Sequence, residues 1–349
     1  MSAAEKLLGL TLADGWKVTR QLPRDPSGSG GTFSQSYVVE RPDRIGFLKA
    51  FDFWPAFRTG VDTAAMIQGL TTAYNYEREV LTHCGAKRLS RVVLAIDSGS
   101  VQVAGMSQMD GTVFYLIFEM AAGDVRVQMS TTTASDALWC MQALRDVALG
   151  LFQVHREMIA HQDTKPSNVL TYRGPIFKIA DFGRSSRKGK PSPYDGAAVA
   201  GDRTYAPPEL LYGFTHTEFA ARRFGCDIYM LGNLAAFLFS GVNVTARLLS
   251  HLDPQHHHSK WSGSYKEALP YLRNAFTKVL EDLSPRIDER VRDEVLALVR
   301  ELCDPDIEHR GHPKGIGKHD QFWLERYVSR TSLLTKRLEI RLRAERSAA

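Results

Sequence analysis

From Leu138 to Val154 an apolar residue returns every third or fourth position: Leu138, Met141, Leu144, Val147, Leu151 and Val154. That spacing lines one face of a helix, which must be covered by other apolar surface. The pattern predicts a helix over Ala137–Arg156, with Ser135 and Asp136 as its start signal. Upstream the chain reads differently. Trp16–Leu22, Tyr37–Glu40, Gly46–Phe53, Val92–Ile96 and Val113–Glu119 are short runs bounded by Gly, Asp or Ser, which are strand signals. One helical stretch, Thr63–Cys84, interrupts them. Downstream, a strand–loop–strand patch at Val169–Ala180 gives way to helices. The shift near Ala122–Thr133 marks the expected boundary between a strand-rich part and a helical part.

The 349 residues leave room for one large or two medium lobes, and 44% hydrophobic with 24% charged residues is an ordinary globular mix. A net charge of +5 fits a polyanionic ligand such as a nucleotide but is too small for a dedicated nucleic-acid binder. Cys84, Cys140, Cys226 and Cys303 form no CxxC pair and are expected as reduced thiols of a cytoplasmic protein. The start, MSAAEKLLGLTLADGW, lacks the pattern of a signal peptide. Ile228–Val244 is the most apolar stretch but falls short of the ~20 residues of a membrane span, and is expected as a buried helix. Arg187–Ala200 and Asp253–Ser264 are expected as loops; His256, His257 and His258 in the latter lack the spacing of a metal site.

Three clusters carry chemistry: His161-Gln162-Asp163-Thr164-Lys165-Pro166-Ser167-Asn168, then Asp181-Phe182-Gly183, then Tyr205-Ala206-Pro207-Pro208-Glu209. In this order and at these intervals they resemble the signatures of the protein kinase family, over roughly Trp16 to Arg310. The resemblance implies an α+β, two-lobed fold with a small antiparallel-sheet N-terminal lobe and a larger, mostly helical C-terminal lobe. The expected divisions are an N-terminal extension (1–15), an N-lobe (16–121), a C-lobe (122–312) and a basic helical C-terminal extension (313–349).

It also implies transfer of the γ-phosphate of ATP, with Mg²⁺, to serine or threonine hydroxyls of a protein substrate. Such transfer needs positioning and charge neutralisation more than covalent help. Asp163 is the expected proton acceptor and Lys165 the cation at the transferring phosphate, a lysine typical of the serine/threonine branch. Asn168 and Asp181 offer the oxygen ligands that Mg²⁺ prefers. Lys49, in the strand Phe47-Leu48-Lys49-Ala50, is expected to hold the α- and β-phosphates, with Glu77 as its partner and Glu79 as the alternative. The phosphate-covering loop is read as Ser27–Ser34, with Gly28, Gly30 and Gly31 and with Phe33 at its tip. Backbone groups of Glu119 to Ala121 are expected beside the adenine, behind Phe118.

Supporting roles follow from the same resemblance: His161 packs on Phe182, Asp227 holds the catalytic loop, and Arg310 pairs with Glu209. Two departures stand out. Gln162 occupies the place where many family members have an Arg that receives an activation-loop phosphate, and Gly201-Asp202-Arg203 stands where many have a Gly-Thr pair. With Gln162 neutral, the segment is expected to be held by another group, Asp202 near Lys165 being the candidate. Two alternatives stay open at this level: a small-molecule phosphotransferase and a nucleotide-binding pseudokinase scaffold. The basic tail Arg326–Arg346 carries Leu334, Leu338 and Leu342 on one face, expected to dock on its own domain rather than on lipid or nucleic acid. The sequence leaves oligomeric state open.

Overall fold

The computed structural model describes residues 2–23, 34–53, 62–131 and 136–348, and the chain divides into two compact units. The first comprises Met1–Arg88 and Val93–Ala122; the second comprises Leu89–Val92 and Gly123–Ala349.

The first unit is built on an antiparallel sheet of β1 (Lys17–Gln21), β2 (Ser34–Arg41) and β3 (Arg44–Phe51), with helix α1 (Thr63–Ala86), β4 (Ala95–Gln102) and β5 (Thr112–Glu119). Spatial order is β1-β2-β3-β5-β4. Alternation along the strands sends Leu48, Ala50, Tyr37, Val39, Val113, Tyr115 and Ile117 into one apolar core. That core is closed by Ala3, Ala4, Leu7, Leu12 and Trp16, so the segment read as an extension is packed into the sheet unit. Ser2 Oγ donates to Asp52 Oδ2 (2.9 Å) and Tyr37 donates to the Ala4 carbonyl (2.6 Å), fixing it further. The opposite face meets α1: Tyr74 packs on Phe51 and Phe114, with ring centroids 5.0 and 5.1 Å apart. Covering on both faces explains why β3 and β5 read as nearly continuous apolar runs.

One strand lies elsewhere than the sequence indicated. Val92 and Val93 are buried, but Val92 bridges to Ile179 in the second unit, and the strand begins at Ala95. β4 is an edge strand with no fully buried residue, so few of its side chains need apolar partners and its sequence AIDSGSVQ is largely polar.

The second unit opens with β6 (Gly123–Asp124) and α2 (Ala137–Arg156). Asp136 caps α2 by accepting from the Leu138 amide at 2.9 Å. There follow β7 (Ile159–Ala160), β8 (Val169–Tyr172), β9 (Ile176–Ile179) and β10 (Ser186–Arg187), arranged as two small antiparallel sheets, β6-β8-β9 and β10-β7. Its other long helices are α3 (Gly225–Ser240), α4 (Tyr265–Leu283), α5 (Arg292–Leu302) and α6 (Glu325–Ala348), with shorter helices between them.

α3 is buried along nearly its whole length, and no single described helix is long and apolar enough to cross a membrane. α6 packs on α2; its Tyr327, Thr331, Leu334, Thr335 and Leu338 are buried, and most of its charged side chains are exposed. All four cysteines are buried as free thiols. An antiparallel-sheet N-terminal unit and a larger, mainly helical C-terminal unit are thus both present, as the sequence led one to expect.

Candidate active site

In the first unit, Lys49 projects from the sheet face opposite the Leu48–Ala50 core, toward α1. Its Nζ donates to both oxygens of Glu77, each at 3.0 Å. Glu77 is buried, and a buried carboxylate needs a paired cation and donors. Glu79, the alternative partner, lies on the exposed side of α1. Glu119 ends β5, paired in register with Gly46, and Ala121 follows it at the end of the unit. Phe118 sits opposite Phe47 with ring centroids 6.4 Å apart. Gly28, Gly30, Gly31 and Phe33 lie outside the described residues; Ser34 begins β2.

In the second unit, the loop after β7 is gathered by one buried carboxylate. Asp227, near the start of α3, accepts from the backbone N–H of His161 (2.8 Å) and Gln162 (2.6 Å) and faces His155 Nε2 at 2.8 Å. His161 sits edge-on to Phe182 with centroids 4.8 Å apart, and its Nε2 lies 2.9 Å from the Ala180 carbonyl. These bonds hold Gln162 at φ 63°, a left-handed conformation that is uncommon outside glycine and that clusters at functional sites.

Asp163 follows. Its Oδ1 accepts from the Asp202 amide at 2.8 Å, and its Oδ2 accepts from Asn168 Nδ2 at 2.9 Å and lies 3.3 Å from Lys165 Nζ. Lys165 is shared, with Asp202 Oδ2 also at 3.3 Å. Burial is the largest influence on Asp163 and raises its pKa above the usual carboxylate range; the charge of Asp181 adds to this, while Lys165 and the Asp202 amide oppose it. Asp202 is held below that range by the Thr204 amide and hydroxyl and by Lys165, against its own partial burial.

Asn168 commits its amide nitrogen to the Asp163 carbonyl (2.8 Å) and to Oδ2, so its side-chain oxygen is turned the other way. Asp181 has a left-handed backbone, φ 66° and ψ 77°, just beyond β9, where the Ala180 amide bonds the Asn168 carbonyl at 2.9 Å. An amide oxygen and a carboxylate on adjoining strand ends are hard donors of the kind Mg²⁺ takes. Among the described residues no three His, Cys, Asp or Glu side chains gather into a cage.

Glu209, in the short helix Pro208–Leu211, meets Arg310 in a two-pronged pair of 2.6 and 2.7 Å. Both are buried, and Arg310 also donates to the Gly225 and Asp304 carbonyls.

Two roles escaped the sequence reading. Gly201 is required by close approach: a Cβ there would stand 2.2 Å from the Gln162 carbonyl oxygen and 2.7 Å from Asp163 Oδ1. Arg223 is buried and reaches the Gln162 side chain. Its only signal is a pair of arginines, Arg222 and Arg223, at the head of an otherwise apolar stretch.

A family model described as the protein kinase domain matches residues 68–322. Cyclin-dependent kinase 9-A of Xenopus laevis is 35% identical over 112 residues, covering 30% of this chain and 28% of that protein. Human cyclin-dependent kinase 9 is 31% identical over 131 residues, 35% of this chain and 34% of the relative. The CTD kinase subunit alpha of Saccharomyces cerevisiae is 31% identical over 132 residues, 37% and 24% of the two chains. The matched stretch thus spans about a third or less of each of these relatives.

Proposed function

Since the chain belongs to the protein kinase family, we propose that it transfers the γ-phosphate of ATP to serine or threonine hydroxyls of a protein substrate, with Mg²⁺. The observation that carries this reading is the set of bonds around Asp163, because it does what phosphoryl transfer asks of a protein: orientation and charge placement. The Asp202 amide and the Asn168 side chain fix the carboxylate plane. A raised pKa gives Asp163 more affinity for a proton than an exposed aspartate has, as suits a group receiving one from an attacking hydroxyl.

Lys165, 3.3 Å from both Asp163 and Asp202, is a cation placed to meet the charge of the transferred group and a mark of hydroxyl rather than phenol acceptors. Lys49, aligned by Glu77, serves the α- and β-phosphates, and Gly28, Gly30, Gly31 and Phe33 are the further residues assigned to the phosphates from the sequence. Backbone groups of Glu119 and Ala121 serve the adenine. Asn168 and Asp181 would hold Mg²⁺, which neutralises phosphate charge.

The test is incubation of the purified chain with labelled ATP, Mg²⁺ and a generic protein substrate, followed by phosphoamino-acid analysis. Label is expected on serine and threonine. Asp163→Asn should lower turnover by about 10²–10⁴-fold while ATP binding, measured by calorimetry, stays within a few-fold. Near-normal transfer by Asp163→Asn, mainly phosphotyrosine, or label confined to small molecules would each defeat the reading.

A further inference from the structure

The activation segment, from Arg184 to Asp202, is folded around a carboxylate. Asp195 Oδ1 accepts from the Ser186 hydroxyl at 3.0 Å and from Arg223 Nη2 at 3.1 Å, and its Oδ2 accepts from the Ser192 amide at 2.7 Å. Its backbone carbonyl accepts from both Arg222 (2.8 Å) and Arg223 (3.1 Å). The arginines come from a widened π-helical turn, Ala220–Phe224, immediately before α3. Such turns concentrate at functional sites, and here one lets two successive arginines reach the same segment. Ser192 Oγ donates to the Ser185 carbonyl at 2.8 Å, and the Arg184 guanidinium lies 3.9 Å from the Tyr194 ring centroid. The segment is therefore closed on itself and on α3.

The closure reaches Asp163 through Gln162. Arg223 Nη1 donates to Gln162 Oε1 at 2.5 Å. A guanidinium can only donate, so the amide is oriented with its nitrogen the other way, donating to Ser186 Oγ at 2.8 Å and to the Arg184 carbonyl at 3.0 Å. An arginine at position 162 would set two guanidinium groups against each other in a buried place; a neutral amide accepts from one side and donates to the other. Gln162 thus fits the arginine opposite it, rather than being a vacant switch.

We propose that Asp195 is a permanent anion ordering the activation segment, that Arg223 is its cation, and that Gln162 passes this order to the adjoining Asp163. The partners of Asp195 — one guanidinium, one hydroxyl and one backbone amide — are those a phosphate would recruit, at a charge of −1 rather than about −1.5 to −2. All three are positioning residues, and the segment needs no phosphorylation to be ordered. The Lys165–Asp202 pair, the tether foreseen from the sequence, fixes only the far end of the segment.

The inference about catalysis rests on the kinase reading above, so the deciding measurement does not depend on activity. Hydrogen exchange of the full, phosphatase-treated chain compares amides of residues 185–197 with those of α2 in the same sample. Loss of one charge-assisted bond should speed exchange of the segment in Asp195→Asn by about 10- to 100-fold, with α2 unchanged and Asp195→Glu close to wild type. Gln162→Arg should also speed it, by about fivefold or more, although it restores the commoner family residue. Unchanged exchange in Asp195→Asn, an equal rise in α2, or slower exchange in Gln162→Arg overturns the proposal. In parallel, kcat on a peptide should fall about tenfold or more in Asp195→Asn, with ATP affinity within threefold. A wild-type chain that transfers no phosphate would defeat the kinase reading while the exchange data still decide this one.

Discussion

A single methyl group added at Gly201 puts the site geometry to a sharp test. In Gly201→Ala the new Cβ would lie 2.2 Å from the Gln162 carbonyl oxygen, where contacts under 3.0 Å are essentially never seen, so the two backbones must part by about 0.8 Å. Gln162 cannot yield readily, because its amide is bonded to Asp227 at 2.6 Å. The displacement therefore falls on Gly201 and Asp202. The 2.8 Å bond from the Asp202 amide to Asp163 would stretch to about 3.6 Å, beyond hydrogen-bonding range, and the Lys165–Asp202 pair moves with it. A bond to a charged group is worth about 1.5–3 kcal/mol. Misplacement by about 1 Å can cost on the order of a hundredfold in rate. The expected result is a fall in kcat/KM on peptide of about 10²-fold, with ATP affinity within a few-fold and the chain still folded. Gly196→Ala is the matched control: it lies in the same segment, and its Cβ meets nothing within 4 Å. If Gly201→Ala stays within threefold of wild type, or Gly196→Ala loses as much, the argument from close approach is wrong.

Two further outcomes follow from the buried charges. Arg310→Met should destabilise the chain by about 3–5 kcal/mol in urea unfolding, because it strands Glu209 in the interior; adding Glu209→Gln should recover much of that, and strictly additive losses would contradict a direct pair. Asp163 should give the free enzyme an acid limb in kcat/KM above the usual carboxylate range, the rate rising with pH as the proton leaves. Since the folded value lies above the unfolded one, the stability Asp163 contributes is present at low pH and is lost as pH rises through that interval; Lys165→Met, which removes an opposing charge, should move the limb higher still, and an unmoved limb would assign it to another group.

Elements whose sequence reports their own packing were the most legible. α2 begins and ends where its apolar spacing does, because one face is buried and Asp136 caps it. Asp163, Asn168, Lys165 and Asp227 were legible because short motifs fix their neighbours along the chain, and the structure brings them into one bonded set. β4 was misplaced because apolarity reports burial without saying by what: Val92 is buried by the second unit, whereas the true edge strand needs little apolar character. Arg223 and Asp195 lie 28 positions apart, and nothing local in either stretch announces the other. The close approach at Gly201 was invisible for a related reason, since it is set by the carbonyl of a residue far off in sequence.

The packing of α6 on α2 separates two boundaries that are easily taken as one. The family match stops at residue 322, before α6 begins at Glu325. Yet Tyr327, Leu334 and Leu338 are buried against the body of the second unit, and Arg330 and Tyr327 bond Glu301 of α5 at 2.9 and 3.1 Å. Each such apolar side chain is worth about 1.5–3 kcal/mol when buried, against a total folding stability of about 5–15 kcal/mol. A chain truncated after Phe322 would retain every motif by which the family is recognised and lose a substantial share of what keeps it folded. Its bared α2 would be a sticky surface, so poor solubility of the truncated form would speak of a missing helix and not of a defective site.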